Sequence, residues 1–292
     1  MALPTLVEQA LDQLPVLDQI GDAGQAAIGT ALQRGGSTAK LVKDVLNGVW
    51  FRHPLHPALT DVPIGAWTCS TILDAASAAD SRLAPAADVL LGVGCLGALG
   101  AAASGVADWQ DTYGHERRVG VAHALLNVGA LTLFSTSWLL RRKGSRASGL
   151  LASFAGYGLA LASSYLGGHL VFGLGTQVNR NAWTEPPEDW TDAKPEAEVP
   201  ENRLVHADVN GLSVLLVRQH GRVYAIGDVC SHAGGPLHEG TLEGRSVICP
   251  WHGSQFDLAS GDILHGPATA EALLLDARVE AGQVQVRMRP KA

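Results

Sequence analysis

The sequence predicts a multidomain chain: an all-α four-helix transmembrane bundle followed by a small all-β domain. Three observations predict it. Residues 119–140 and residues 147–179 contain no Asp, Glu, Lys or Arg. Four stretches, 62–79, 89–107, 119–140 and 148–174, are long and apolar enough for helices rising about 1.5 Å per residue to cross a bilayer core of about 30 Å. From residue 185 onward, charge returns and short apolar runs alternate with turn residues. The chain averages of 17% charged and 47% apolar residues hide this division.

Residues 1–52 read as amphipathic helices. Leu6, Ala10, Leu11, Leu14 and Leu17 recur at helical spacing with Glu8, Asp12 and Asp18 between them. Gly35, Gly36 and Ser37 interrupt the pattern, which resumes over 39–50. Such helices are expected on a membrane surface or against the bundle. No basic start, apolar core and small-residue cleavage site mark a signal peptide there.

Residues 53–175 carry the four expected spans. They are rich in Gly, Ala and Ser, which allow helices to approach closely in lipid. The first span is the weakest, because Asp74 sits within it. Cys69 and Cys95 fall in these stretches and read as small buried hydrophobes.

Residues 176–200 are expected to be a hydrated, semi-rigid linker, with Pro186, Pro187, Pro195 and Pro200 among acidic side chains. Residues 201–292 form the β domain. Strands are expected near 204–207, 212–219, 222–226, 246–249 and 283–287, with turns at His220-Gly221 and Ala281-Gly282.

The loops of that domain hold Cys230 and His232, then Cys249 and His252, with residues 233–248 between the halves. Each half offers one thiolate and one imidazole. Two thiolates on one iron and two imidazoles on the other describe a [2Fe–2S] cluster of raised potential. The same four donors also suit tetrahedral zinc.

The runs CSHAGGPL (230–237) and CPWHGSQFD (249–257) closely resemble the two boxes of the Rieske family, and the likeness extends over about 203–289. That resemblance implies the iron–sulfur cluster, with Cys230, His232, Cys249 and His252 as ligands. Rieske proteins of the cytochrome bc complexes carry a further cysteine in each box, joined as a disulfide. Gly235 and Trp251 occupy the matching positions here, so the chain is closer to Rieske ferredoxins and oxygenase domains. High-potential members also hydrogen-bond the cluster through a serine and a tyrosine. Ser254 matches the serine, whereas Phe256 replaces the tyrosine, which implies a lower potential. His238 and His265 are expected to make ordinary loop hydrogen bonds.

Five of the 11 histidines fall in the helical half: His53, His56, His115, His123 and His169. With four spans, all five lie toward one face, together with Asp61 and Asp108. His123 and His169 lie about one turn inside the boundary, where polar groups are costly and usually mark a site. Three readings compete for His56, His123 and His169: ligands of a haem b, a metal or quinone-type site, or interhelical hydrogen bonding without a cofactor. No two-histidine, one-carboxylate iron site is visible outside the cluster.

The run HPLHPALTDVPIG (53–65), Ser104 to Trp109 and Gly167 to Phe172 resemble a bacterial family of four-span membrane proteins of unknown function, sometimes fused to a Rieske domain. The likeness covers about 50–173 and supports the architecture without implying an activity.

The expected function is membrane-bound electron transfer, with a redox protein or a quinone as partner. The first alternative is a Rieske ferredoxin component of an oxygenase or reductase with a passive membrane anchor; the second is a redox sensor. An electron carrier is expected rather than an enzyme with its own substrate. The net charge of −7 argues against a nucleic acid partner. Multi-pass insertion in the cell membrane follows, contacting lipid. Basic residues are nearly balanced across the two faces. The missing disulfide and signal peptide place the Rieske domain on the cytoplasmic side. The sequence leaves the oligomeric state open.

Overall fold

The computed structural model describes residues 3–289. The chain divides into two compact units. The first holds residues up to Val42 and then Leu55–Thr176; the second holds Lys43–Pro54 and residues from Gln177 onward.

The first unit is helical. It contains α1 (Leu3–Asp12), most of α2 (Val16–Asn47), α3 (Leu55–Ala76), α4 (Ala84–Trp109), α5 (Gly114–Arg142) and α6 (Arg146–Gly168). The expected interruption near Gly35 is a kink inside α2, where Gly36 takes φ 55° and ψ −137°. A π-helical turn, His169–Gly173, extends α6.

Helix α3 packs along α4, and α5 along α6. Trp67 of α3 stacks on Phe134 of α5 at 4.2 Å between centroids. The packed interior also holds small polar side chains, including Ser70, Ser104, Ser137, Ser153 and Ser163. Large apolar residues face outward: Leu96 of α4 is 72% exposed and Leu151 of α6 is 74% exposed. That polarity is the reverse of a water-soluble bundle.

Among the described residues, three helical stretches are long and apolar enough to cross a membrane: Ser81–Trp109, Gly114–Arg142 and Arg146–Gly173. The sequence reading expected four. Helix α3 has the length, but His56, Asp61, Asp74 and its hydroxyl residues dilute its hydropathy.

Asp74 is explained by its partners. Arg141 of α5 holds it through two bonds of 2.9 and 2.5 Å. Arg146 of α6 reaches it at 3.0 Å. Both arginines also bind Asp88 of α4, at 2.9 and 3.0 Å. One charged residue from each of α3, α4, α5 and α6 therefore joins a neutral, mostly buried clasp.

The second unit is built on two antiparallel sheets. One has six strands in the order β1-β10-β9-β4-β3-β2, and the other has four in the order β5-β6-β7-β8. The strands are β1 (Thr191–Pro195), β2 (Leu204–Val209), β3 (Leu212–Gln219), β4 (Arg222–Gly227), β5 (Thr241–Glu243), β6 (Ser246–Ile248), β7 (Gln255–Asp257), β8 (Ile263–His265), β9 (Leu274–Glu280) and β10 (Gln283–Met288).

Three two-residue turns, Asn210-Gly211, His220-Gly221 and Ala281-Gly282, join β2–β3, β3–β4 and β9–β10. All six residues have positive φ, the geometry whose twist suits a tight hairpin. Strand β3 is buried on both faces. Val214 and Leu216 enter one core, and Leu215 and Val217 enter the other, beside Cys230, Cys249 and Phe256.

Two expectations change here. The stretch read as a linker is built into the second unit. Strand β1 lies inside it and pairs with β10, and the Arg180 N–H donates to the Ser231 carbonyl at 3.1 Å. Asn181 Nδ2 donates to the Val229 carbonyl at 2.9 Å.

Residues 43–52, read as part of an amphipathic N-terminus, and residues 53 and 54, read as the start of the bundle, also belong to this unit. Asp44 accepts from the Gly266 N–H at 2.9 Å and pairs with the His265 ring at 2.7 Å. Arg52 binds Asp262 at 3.0 Å and Glu271 at 2.5 Å. Val49 packs on the core that contains the two buried cysteines.

Candidate metal centre

Cys230 follows β4 and Cys249 follows β6. The two loops they open are folded alike. In the first, the Cys230 N–H donates to the Gly235 carbonyl at 2.9 Å, and the Gly234 N–H donates to the Cys230 carbonyl at 2.9 Å. In the second, the Cys249 N–H donates to the Ser254 carbonyl at 2.8 Å, and the Gly253 N–H donates to the Cys249 carbonyl at 3.1 Å. Both loops turn at a glycine with positive φ, 86° at Gly234 and 76° at Gly253. The histidine stands two residues after the cysteine in one loop and three after it in the other.

This construction brings all four sequence-predicted donors together. Cys230, Cys249 and His232 are buried, and His252 is half-buried. The two Nδ1 atoms of His232 and His252 lie 3.2 Å apart with their rings nearly perpendicular, at 87°. Two nitrogen ligands at about 2.0–2.1 Å on one tetrahedral ion would be about 3.3 Å apart.

Burial, together with the nearby His252, Lys43 and Arg180, pushes the His232 imidazole down to about 3. It is therefore neutral, as a ligand must be. The two thiols are hydrogen-bonded to each other. The bond from Cys230 brings the Cys249 thiol down to about 6, helped by the Trp251 and His252 N–H groups. The same bond, with burial, pushes the Cys230 thiol up.

The supporting residues fall into three groups. Ser254 is fully buried and its Oγ accepts from the Ala268 N–H at 3.0 Å, so its own hydrogen remains for another acceptor. Phe256 is fully buried in the core behind the cysteines. A side chain at 235 would meet Trp251 at 3.0 Å, so the positions that a disulfide would join are neighbours in space.

Sequence reasoning missed Asp228. Its buried carboxylate accepts from the His238 N–H at 2.8 Å, pairs with His238 Nδ1 at 2.7 Å and accepts from Ser213 Oγ at 2.9 Å. These bonds anchor the first loop two residues before Cys230. Asp228→Ala leaves three partners without it and is expected to cost about 3 kcal/mol of stability. Thermal unfolding checks this, and a loss below about 1 kcal/mol would contradict the anchoring role. His238 and His265 make the loop hydrogen bonds expected of them.

The second unit also has a cavity of about 210 Å³ beside His232, lined by Arg52, His53, Gln177, Asn179 and Thr269 among others.

The helical histidines do not form one group. His56 and His123 meet edge to face at 6.2 Å between centroids. His56 Nδ1 lies 2.7 Å from the Ala101 carbonyl. His123 is occupied at both nitrogens: Nδ1 is 2.9 Å from the Ser163 carbonyl, and Nε2 is 3.0 Å from Asn127 Nδ2. His169 instead stands with Glu8 and His115. The sequence shows no two-histidine, one-carboxylate iron site outside the cluster, yet these three side chains meet in space. They lie on three different helical segments, and no local spacing signals them.

Residues 189–284 match the Rieske [2Fe-2S] domain family, and residues 52–180 match the family described as predicted membrane protein (DUF2231). The ferredoxin component of the naphthalene 1,2-dioxygenase/salicylate 5-hydroxylase systems of Ralstonia sp is 32% identical over 101 residues, covering 35% of this chain and 97% of that protein. The ferredoxin component of the naphthalene 1,2-dioxygenase system of Pseudomonas aeruginosa is 31% identical over 99 residues, covering 34% and 95%. Among solved structures, the ferredoxin of carbazole 1,9a-dioxygenase from Nocardioides aromaticivorans IC177 shares 25% identity with a TM-score of 0.33, covering 36% of this chain and 100% of that one.

Proposed function

The chain belongs to the Rieske [2Fe-2S] domain family through its C-terminal third, joined to a predicted membrane protein domain, and from that premise we propose that it is a multi-pass, membrane-anchored one-electron carrier. The observation that carries this reading is the convergence of two buried thiols and two imidazoles on paired, like-folded loops.

Cys230 and Cys249 would hold one iron of the cluster, and His232 and His252 the other. When bound, the cluster supplies storage of a single electron at a potential within about −150 to +300 mV. The chain's own residues do the rest. The backbone bonds of the two loops fix the donors before the cluster arrives. Phe256 and Leu237 keep water from the cysteine side. Ser254 offers its hydroxyl hydrogen toward sulfur. Half-buried His252, next to exposed Trp251, forms the edge at which a redox partner docks.

Phe256 withholds the hydrogen bond that a tyrosine would give, so the midpoint is expected below that of the bc-type proteins. Redox titration followed by EPR tests this in the detergent-solubilised protein. Phe256→Tyr should raise the midpoint, and a wild-type value at the top of the Rieske range would contradict the reading. Zinc in place of iron in the purified protein would overturn the carrier assignment itself.

In the finer form of this reading, α3 to α6 span the membrane as a four-helix bundle and the cluster domain is cytoplasmic. The membrane module is about residues 53–175 and the cluster domain about 201–292, the latter supported by residues 43–54 and 177–200. The four-helix clasp and the outward apolar faces support the bundle. Protease or cysteine-labelling access from each side of sealed vesicles tests the orientation.

The ferredoxin components named above suggest an oxygenase as the receiving partner. A second reading, with a quinone as partner, is favoured by the cavity beside His232, whose lining mixes apolar surface with polar side chains. Reduction of the cluster by added quinol separates the two. Within the helical unit, the two hydrogen bonds of His123 favour the cofactor-free reading, because a haem would have to displace Asn127. Dithionite-reduced protein is then expected to lack the sharp bands of b-type haem.

A further inference from the structure

We propose that Glu8, His115 and His169 form a binding site for a divalent transition-metal ion of zinc or ferrous character. The inference rests on the helical unit alone and is independent of the cluster.

Three segments bring the donors together. Glu8 lies on α1, His115 in the first turn of α5 and His169 at the start of the π-helical turn after α6. Helices α5 and α6 run antiparallel as a pair, so the beginning of one and the end of the other share one end of the unit. Helix α1 packs against α5 at that end. One ligand atom from each of the three residues lies within 4.8 Å of the other two.

The closest pair already has the spacing of a shared ion. His169 Nε2 and Glu8 Oε1 are 3.4 Å apart. Two donors at about 2.0–2.1 Å on a tetrahedral centre are separated by about 3.3 Å. His169 Nε2 is shielded from solvent, yet among the described residues it has no hydrogen-bond partner. A buried ring nitrogen in that state is unfavourable unless something occupies its lone pair.

The backbone is shaped around this ring. A Cβ at Gly173 would stand 2.6 Å from His169 Nδ1, so the last residue of the π turn must be glycine for the ring to sit there. π-Helical turns inside α-helices are rare and recur at functional sites.

The donor chemistry selects the ion. Two imidazoles and a carboxylate suit borderline divalent metals such as Zn²⁺ and Fe²⁺, and they disfavour Ca²⁺ and Mg²⁺, which prefer an all-oxygen shell. Three protein ligands leave a fourth position open to water or a small ligand. Glu8 and His115 are partly exposed, with side chains 41% and 34% accessible, so an ion can enter. Asp12, one turn after Glu8, stands 3.4 Å from His115 Nδ1. It is also held at 2.6 Å by Arg118, which fixes this carboxylate beside the histidine.

The experiment uses the full chain in detergent with its cluster loaded, and Co²⁺ alone as the probe. One equivalent of Co²⁺ should bind and show the weak visible d–d bands of nitrogen and oxygen ligation. Zn²⁺ should displace it. His115→Ala, His169→Ala and Glu8→Gln should each weaken binding by at least about 100-fold, given that losing even a residue behind a ligand costs 10–100-fold. His206→Ala, at an exposed position of strand β2, should leave binding intact. Circular dichroism and retained cluster EPR establish that each variant is folded, and Glu8→Gln keeps the shape of a partly exposed helical residue. Absence of stoichiometric binding to the wild type would overturn the proposal. So would intense thiolate-to-cobalt absorption, which would place the ion at the cysteines, or an affinity unchanged from the wild type in all three variants.

Discussion

Cys249→Ser yields a folded but colourless protein. The substitution removes one of two thiolates, and serine oxygen does not replace a soft sulfur donor on iron at neutral pH. The expected loss is essentially complete, in visible absorbance and in the EPR signal after reduction. The reason lies in the construction of the site. Its two loops are matched in backbone bonding, and each contributes one sulfur and one nitrogen, so neither can retain the cluster alone. His252→Ala should have the same effect at the other iron. The fold around the loops should survive, since β3, β4 and the hydrophobic residues behind the cysteines remain in place. Iron analysis with far-ultraviolet circular dichroism separates cluster loss from unfolding. A Cys249→Ser protein that kept full iron content would refute the ligand assignment.

Arg141→Ala is the second large effect. Arg141 and Asp74 are each about 1% exposed at the side chain and joined by two bonds. Removing the arginine leaves Asp74 with Arg146 and takes away the bond that Arg141 Nε donates to Ser137 Oγ at 3.0 Å, while Ser137 keeps its own bond to the Gly149 carbonyl. Breaking one side of a buried pair typically costs about 3–5 kcal/mol, mostly because the surviving charge keeps its desolvation penalty. Thermal unfolding in detergent should show a loss of that size. The double variant Arg141→Leu with Asp74→Leu removes both charges and should recover a large part of it. A double variant as unstable as the single one would mean that packing, rather than the stranded charge, sets the cost.

The same side chains show what could and could not be read from sequence. The cluster ligands were legible because each loop is local: a cysteine, a histidine and a turning glycine lie within six residues, and the chemistry needs nothing else. Two of the three hairpin turns, His220-Gly221 and Ala281-Gly282, were legible for the same reason. Asp74 looked like a flaw in a span because its partners stand 67 and 72 positions away. Position alone could not gather Glu8 with His115 and His169 either, since α1 has first to dock on α5. The proline-rich stretch before the β domain read as a tether because its composition is that of one. Its bonds to Ser231 and Val229 depend on the loop that it meets, which composition does not describe.

The clip formed by Asp44 and Arg52 sets an order of events during synthesis. Asp44 must wait for His265, 221 positions later, and Arg52 for Glu271, 219 positions later. At about 5–20 residues per second, the ribosome takes roughly 10–40 s to deliver those partners. The whole helical half is made within that interval. The cluster-bearing unit therefore completes its contacts only after the helical half has been made. Metal loading comes later still, so depleting iron should leave a folded, cluster-free chain rather than an unfolded one.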